Sequence, residues 1–188
     1  MKTRVIMNNM LLNSAIYSCT LFLLSGCGES TATSVTDAEG AMAEKVEGNV
    51  QDADMGMKPW ALNIEEATVN NPDYRAVKWT SAHMQMVLMS LKPGEEIDLE
   101  VHNKTDQFIR IEQGEARVRM GKESGKLTYD KTISDDWAVL IPAGYYHHIK
   151  NTGTTDLKLY TIYAPAEHPK GITHKTYAEA KESHHDHE

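Results

Sequence analysis

Residues 93–114, PGEEIDLEVHNKTDQFIRIEQG, decide how this chain is read. A Pro93-Gly94 turn opens a run in which Ile97, Leu99 and Val101 alternate with Asp98, Glu100 and His102. Strict alternation marks a half-buried strand, because successive side chains point to opposite faces. A polar loop at 103–106 leads into a second strand at 107–114. Glu100 and His102 share a face of the first strand, and the returning strand brings Gln107 beside them. A carboxylate, an imidazole and an amide converging in this way compose a metal-donor set. His147 is the fourth candidate.

Outward from that stretch, short strands are expected at 74–79, 84–91, 97–102, 107–113, 116–120, 127–133, 137–141, 146–151 and 157–163. Turn signals separate them, among them Gln113-Gly114, Ala143-Gly144 and Asn151-Thr152-Gly153. Many short strands without helical periodicity between them argue for an all-β barrel or sandwich. Its expected core is Trp79, Met86, Leu88, Ile109, Ile111, Val118, Val139 and Ile141. A helical turn is expected at 65–70 and a short helix at 177–182. The end of the chain carries His184, His185 and His187, read as a solvated tail.

The N-terminal third is of another kind. Lys2 and Arg4 precede an apolar region that ends in Leu24-Ser25-Gly26-Cys27. A positive start, an apolar middle and small residues at the cut describe a secretory signal. Those last four residues resemble the lipobox of bacterial lipoproteins, which implies cleavage before Cys27 and lipidation of its thiol. With Gly28 next, the resemblance implies a cell-envelope protein, facing the periplasm from the outer membrane in a Gram-negative cell. Its only membrane contact would be this lipid anchor. Residues 27–58 are small, polar and acidic, and read as a tether. Loss of residues 1–26 removes Lys2 and Arg4 and no acid, so the net charge falls from −8 to −10. That balance argues against nucleic-acid binding, which rests on clustered Lys and Arg. The two cysteines, Cys19 in the signal and Cys27 under lipid, leave the mature domain no disulfide and no thiol nucleophile.

A second cluster, residues 142–151 (PAGYYHHIKN), completes a pattern. Together the two clusters resemble the paired motifs of the cupin superfamily, whose small jelly-roll barrels, or double-stranded β-helices, carry them on opposing strands. The first motif's Gly, two His, Glu and Gly correspond to Gly94, Glu100, His102, Gln107 and Gly114. The second motif's Gly, Pro, Gly, His and Asn correspond to Asp136, Pro142, Gly144, His147 and Asn151. Glu100, Gln107 and Asp136 depart from the family pattern. A narrower resemblance, at residues 100–102, 105–108 and 159–168, is to single-domain cupins labelled mannose-6-phosphate isomerase-like. The resemblance implies a cupin domain over 59–168, followed by an extension over 169–188.

Glu100, His102, Gln107 and His147 form a mixed nitrogen and oxygen set with one anionic charge, suited to Mn²⁺, Fe²⁺, Ni²⁺ or Zn²⁺. His148, next to His147 on a strand, points to the other face. His168 and His174 lie in a segment that folds over the barrel mouth. Three functions are open. One is a metalloenzyme of oxygenase or isomerase type on a small molecule, with Glu100 as ligand or base. Another is a non-catalytic cupin that holds a small ligand. The third, a sugar-phosphate isomerase, needs an inward Arg or Lys. Arg110, Arg117 and Arg119 all point outward by alternation, so the pocket is expected to lack such a handle. A homodimer through the Ile97, Leu99 and Val101 face is a further expectation.

Overall fold

The computed structural model describes residues 54–185, with side chains placed through Ser183. The leader, Cys27, most of the tether and His187 lie outside the described residues. Helix α1 (Ile64–Val69) precedes the strands β1 (Arg75–Thr80), β2 (Gln85–Leu91), β3 (Glu96–Val101), β4 (Asp106–Gln113) and β5 (Glu115–Gly121). Then come β6 (Tyr129–Ser134), β7 (Ala138–Ile141), β8 (Tyr146–Asn151), β9 (Leu157–Ala164), β10 (Thr173–His174) and helix α2 (Tyr177–His185).

The strands form two antiparallel sheets, one in the order β10-β1-β2-β9-β4-β7 and the other β3-β8-β5-β6. Directly opposed residues share a face, so the register identifies the interior. Val87, Thr161 and Ile109 make one inward row, and Met89, Leu159 and Ile111 the next. All six are essentially inaccessible. From the facing sheet come Ala116, Val118, Ile133 and Ile149. Ile109, Ile111, Val118, Val139 and Ile141 thus occupy the expected core.

Met86 and Leu88 are buried as expected, but with Trp79 they lie outside the cluster between the sheets. Trp79 opposes Met86, Met86 opposes Ile162, Ile162 opposes Phe108 and Phe108 opposes Leu140, a single row on the outer face of the six-stranded sheet. Trp60, Leu62 and α1 flank this outer surface. Every residue of β2 is buried, so its sequence carries no alternation that tells inside from outside.

The alternation of β3 also breaks. Ile97 opposes Ile149 and Glu100 opposes His147, with a register shift between the pairs. The extra residue is a β-bulge, which bends a strand and re-aims its side chains, often beside a functional site. Ile97 is therefore inside at 1% exposure while Leu99 is outside at 45%. The single apolar face expected to support a homodimer is split between core and surface.

Gly114, at φ +95, makes the turn between β4 and β5. A Cβ there would sit 3.0 Å from the Asp156 carbonyl oxygen and 3.1 Å from Leu157 Cα. Gly114→Ala is expected to destabilise the fold by about 1–3 kcal/mol, combining left-handed strain with crowding, measured by thermal melting. Asp136 replaces the motif glycine and keeps its left-handed backbone at φ 68. Aspartate tolerates that region better than most side chains, and its carboxylate also receives Arg110.

Both flanks are tied to the barrel. Met55 N–H donates to Lys78 O, and Asp54 accepts from the Thr80 amide and hydroxyl and from Gly171 N–H. Residues 54–56 are therefore tied to β1, although they read as tether. Beyond residue 168, β10 pairs with β1, opposing His174 to Arg75. Ala180 of α2 reaches the core at 3% exposure, and the Tyr177 hydroxyl donates to Asp98. The segment after 168 belongs to the barrel rather than trailing from it.

Candidate functional site

The bulge in β3 and the register of β8 bring Glu100 and His147 face to face. His102 follows one residue past β3, and its carbonyl accepts the N–H of Gly144 at 2.8 Å. The glycine of the second cluster thus fixes a histidine of the first. Asn151 of the second cluster makes no contact with these residues. Its amide donates to Leu91 O and Thr155 O and its carbonyl accepts from Gly153 N–H, organising a turn.

Glu100 Oε1 lies 3.3 Å from His102 Nε2 and 3.1 Å from His147 Nε2. One atom from each of the three residues falls within 4.8 Å of the other two. The far side of each ring is also held. His102 Nδ1 is 3.0 Å from Glu167 Oε1, and His147 Nδ1 is 3.1 Å from Tyr145 O. A carbonyl only accepts, so His147 carries its proton on Nδ1 and turns Nε2 toward Glu100. His102, donating from Nδ1 to Glu167, does the same. Two imidazole lone pairs and a carboxylate oxygen then face one another. Either extra protons or a cation must occupy the space between them. Rings anchored through Nδ1 by a carboxylate and a backbone carbonyl are the arrangement that orients histidines toward a metal.

Burial pushes the Glu100 carboxyl up, but its hydrogen bonds to both imidazoles and their charges outweigh this and hold it well below the usual carboxylate range. Burial pushes His102 down, yet Glu100 and Glu167 override it and raise it above the ordinary imidazole value.

Gln107 stands on the other sheet, opposing Tyr163 and Ile141. Its amide nitrogen donates to the Thr161 hydroxyl at 3.1 Å, and its buried carbonyl oxygen has no hydrogen-bond partner. The structure therefore gathers Glu100, His102 and His147 into one cluster and sets Gln107 on the facing wall. An unsatisfied buried carbonyl is costly, and a cation is one partner that answers it. The donor set of Glu100, His102 and His147 fits a divalent ion, and the orphaned Gln107 oxygen is a further candidate donor. His148, as expected, faces away, bonded to Glu96 and Arg119 on the outer surface.

Glu167, Gln85, Tyr163 and Arg75 complete the surroundings, and none had been given a role from sequence. Gln85 is fully buried and clamps the segment after β9. Its carbonyl accepts the N–H groups of Glu167 and His168, and its amide donates to His168 O and the Thr80 hydroxyl. That clamp sets Glu167 over His102. Tyr163 packs edge-on against the rings of His102 and His168. Arg110, Arg117 and Arg119 bond to outer-surface partners, as alternation predicts. Arg75, by contrast, opposes the inward Met89 and is 3% exposed. The expectation of a pocket without a cationic handle is thereby overturned. Its parity with Val77 in the first strand carried the signal. His168 and His174 do lie at the mouth, lining with Arg75, His102 and Glu167 a cleft of about 240 Å³.

Residues 87–163 match the cupin domain family. The chain is 50% identical over 127 residues to the uncharacterized protein YrkC of Bacillus subtilis (strain 168), covering 68% of each. An uncharacterized protein of Acanthamoeba polyphaga mimivirus is 48% identical over 113 residues, or 60% of this chain and 69% of that one. The crystal structure of BH2720 from Bacillus halodurans superposes with a TM-score of 0.68 at 45% identity, covering 69% of this chain and 98% of that one. The chain belongs to the cupin superfamily.

Proposed function

We propose that this cupin is a metal-dependent protein acting on a small molecule, with Glu100, His102 and His147 as ligands and the Gln107 carbonyl as a fourth donor. The observation that carries the reading is the convergence of two Nδ1-anchored imidazoles on one carboxylate oxygen. Bound there, a divalent ion would supply Lewis-acid or oxygen-activating chemistry in a partly water-excluded site. The chain's own residues do the positioning. Glu167 and Tyr145 O hold the imidazole protons, Gln85 holds Glu167 in place, and the ring of Tyr163 walls one side. Glu100 serves as ligand rather than base, because the two imidazoles hold its carboxyl well below the usual carboxylate range, which leaves it a weak proton acceptor. A leader ending in Leu24-Ser25-Gly26-Cys27 supports placing this activity on a lipid-anchored protein of the cell envelope.

Metal content of the chain from Gly28 onward, made without an affinity tag and measured by elemental mass spectrometry, tests the reading. Near-stoichiometric Mn, Fe, Ni or Zn is the expected result; no metal after purification or incubation would defeat it.

The pH dependence follows from the two shifted groups. His102 is raised, so its ion pair stabilises the metal-free fold fully below the ordinary value of 6.5, and that contribution fades as pH rises through the raised value. Glu100 is lowered, so its contribution is present above 4.5 and fades only as pH falls through the lowered value. The metal-free cluster is therefore strongest between 4.5 and 6.5. A metal ion must expel the His102 proton. The rise in melting temperature on adding Mn²⁺ or Zn²⁺ is expected to be smallest in that window and to grow above it. A metal-induced rise that does not increase with pH would contradict this.

A further inference from the structure

Resting on that metal reading, we propose that the cleft beside the site binds a small carboxylate, with Arg75 as its anchoring cation. Arg75 opposes Met89 on one side and His174 on the other, so its buried side chain enters the barrel on the inward face of β1. It stacks over the ring of Tyr74 at 5.8 Å. It lines the cleft shared with His102 and Glu167, and also a narrow hollow shared with Glu100. Arg75 therefore borders two hollows, one beside His102 and one beside Glu100.

Three features define what such a place takes. The cleft, at about 240 Å³, is below the 300–1,000 Å³ usual for drug-sized ligands, so the occupant is small. Its wall is rich in polar groups, with His168 and His174 beside Arg75 and the aliphatic Ile172 and Pro169 as the apolar part. Its charge depends on the metal. Arg75 with a divalent ion outweighs the carboxylates of Glu100 and Glu167. The loaded cleft thus favours an anion of low charge, and more so than the empty one. A guanidinium presents a planar fork that matches a carboxylate in bidentate fashion. A carboxylate with a second oxygen function could meet Arg75 at one end and the metal site at the other. Phosphate, with its higher charge and a single guanidinium to receive it, fits less well.

The test is calorimetric titration of acetate, glycolate, pyruvate, succinate and inorganic phosphate. It is run on the full folded chain with and without Mn²⁺, for the wild type, Arg75→Gln and Arg75→Lys, with metal content and melting curves measured on each. At least one carboxylate is expected to bind the Mn²⁺-loaded wild type more tightly than phosphate does, and at least about ten-fold more weakly when the metal is absent. Arg75→Gln is expected to keep its metal and lose about thirty-fold or more in carboxylate affinity, while Arg75→Lys recovers part of that loss. Unchanged affinity in Arg75→Gln overturns the proposal, as does phosphate binding tighter than every carboxylate. Loss of metal in both Arg75 variants also overturns it, since Arg75 would then be a support of the metal site. Should Arg75→Gln fail to fold, Arg75→Lys decides: affinity equal to wild type counts against a bidentate anchor. If the wild type takes up no metal, the functional reading fails by itself; Arg75-dependent carboxylate binding would still uphold the subsite, and its absence would remove both.

Discussion

His147→Ala is expected to reduce bound metal to background after dialysis, while His148→Ala leaves it unchanged. The two residues are neighbours on β8 and both are buried, but they face opposite sides of the sheet. His147 meets Glu100 inside the barrel; His148 meets Glu96 and Arg119 outside it. Losing an outer partner of a metal ligand typically costs about 10–100-fold in affinity, and loss of a ligand should exceed that. Without His147 the cluster keeps Glu100 and one imidazole, His102, with only the neutral Gln107 carbonyl beside them, a weaker set than the His-rich triads of open catalytic sites. Both substitutions hollow out a buried position, so both should lower the melting temperature. Metal content, read by elemental mass spectrometry, separates them. Equal loss of metal in the two variants would mean that uptake tracks general integrity of β8, and the cluster would lose its claim.

The contrast also shows how far the sequence could be read. Parity alone places His147 and His148 on opposite faces, and β8 is regular enough to obey it. The same rule worked for Ile109, Ile111 and the outward Arg110, because β4 keeps its register through that stretch. It failed on β3, where the run from Ile97 to His102 alternates perfectly on paper. The bulge restores Glu100 to the face of Ile97. A bulge depends on what the neighbouring strand pairs with, which no local pattern records. Glu100 and His102 still share the interior, since the irregularity precedes both.

β2 failed for a different reason. It is covered on both faces, so Met86 and Leu88 are buried along with Val87 and Met89, and hydrophobicity cannot rank the two sides. The partners of the site were hidden by distance along the chain. Glu167 stands 65 positions after His102, and its placement depends on Gln85, 82 positions before it. Glu167 and His168 did lie in a segment singled out by resemblance, yet nothing local indicated which atom either would meet. Arg75 was legible by parity with Val77; its significance emerges only once β10 and the segment after β9 enclose it.

Gln85→Ala is expected to weaken the fold and the metal site together. Four hydrogen bonds converge on this fully buried side chain: two from the Glu167 and His168 amides, and two from its own amide to His168 O and the Thr80 hydroxyl. Truncation leaves those groups unpaired and opens a hole beneath the segment, a loss of about 2–4 kcal/mol. The effect on metal follows from what the segment carries. Glu167 fixes the His102 ring through Nδ1, so a loosened segment frees the ring to turn its Nε2 away from Glu100. Metal affinity is expected to fall about 10–100-fold, the range for disturbed outer partners of a ligand. Glu167→Gln provides the comparison, because it leaves the Gln85 clamp intact and removes only the carboxylate. It should lower metal affinity with a much smaller change in melting temperature. If Gln85→Ala melts earlier but binds Mn²⁺ or Zn²⁺ within about two-fold of the wild type, well short of that range, the clamp holds the barrel mouth without tuning the histidine. The coupling from Gln85 through Glu167 to His102 would then be discarded.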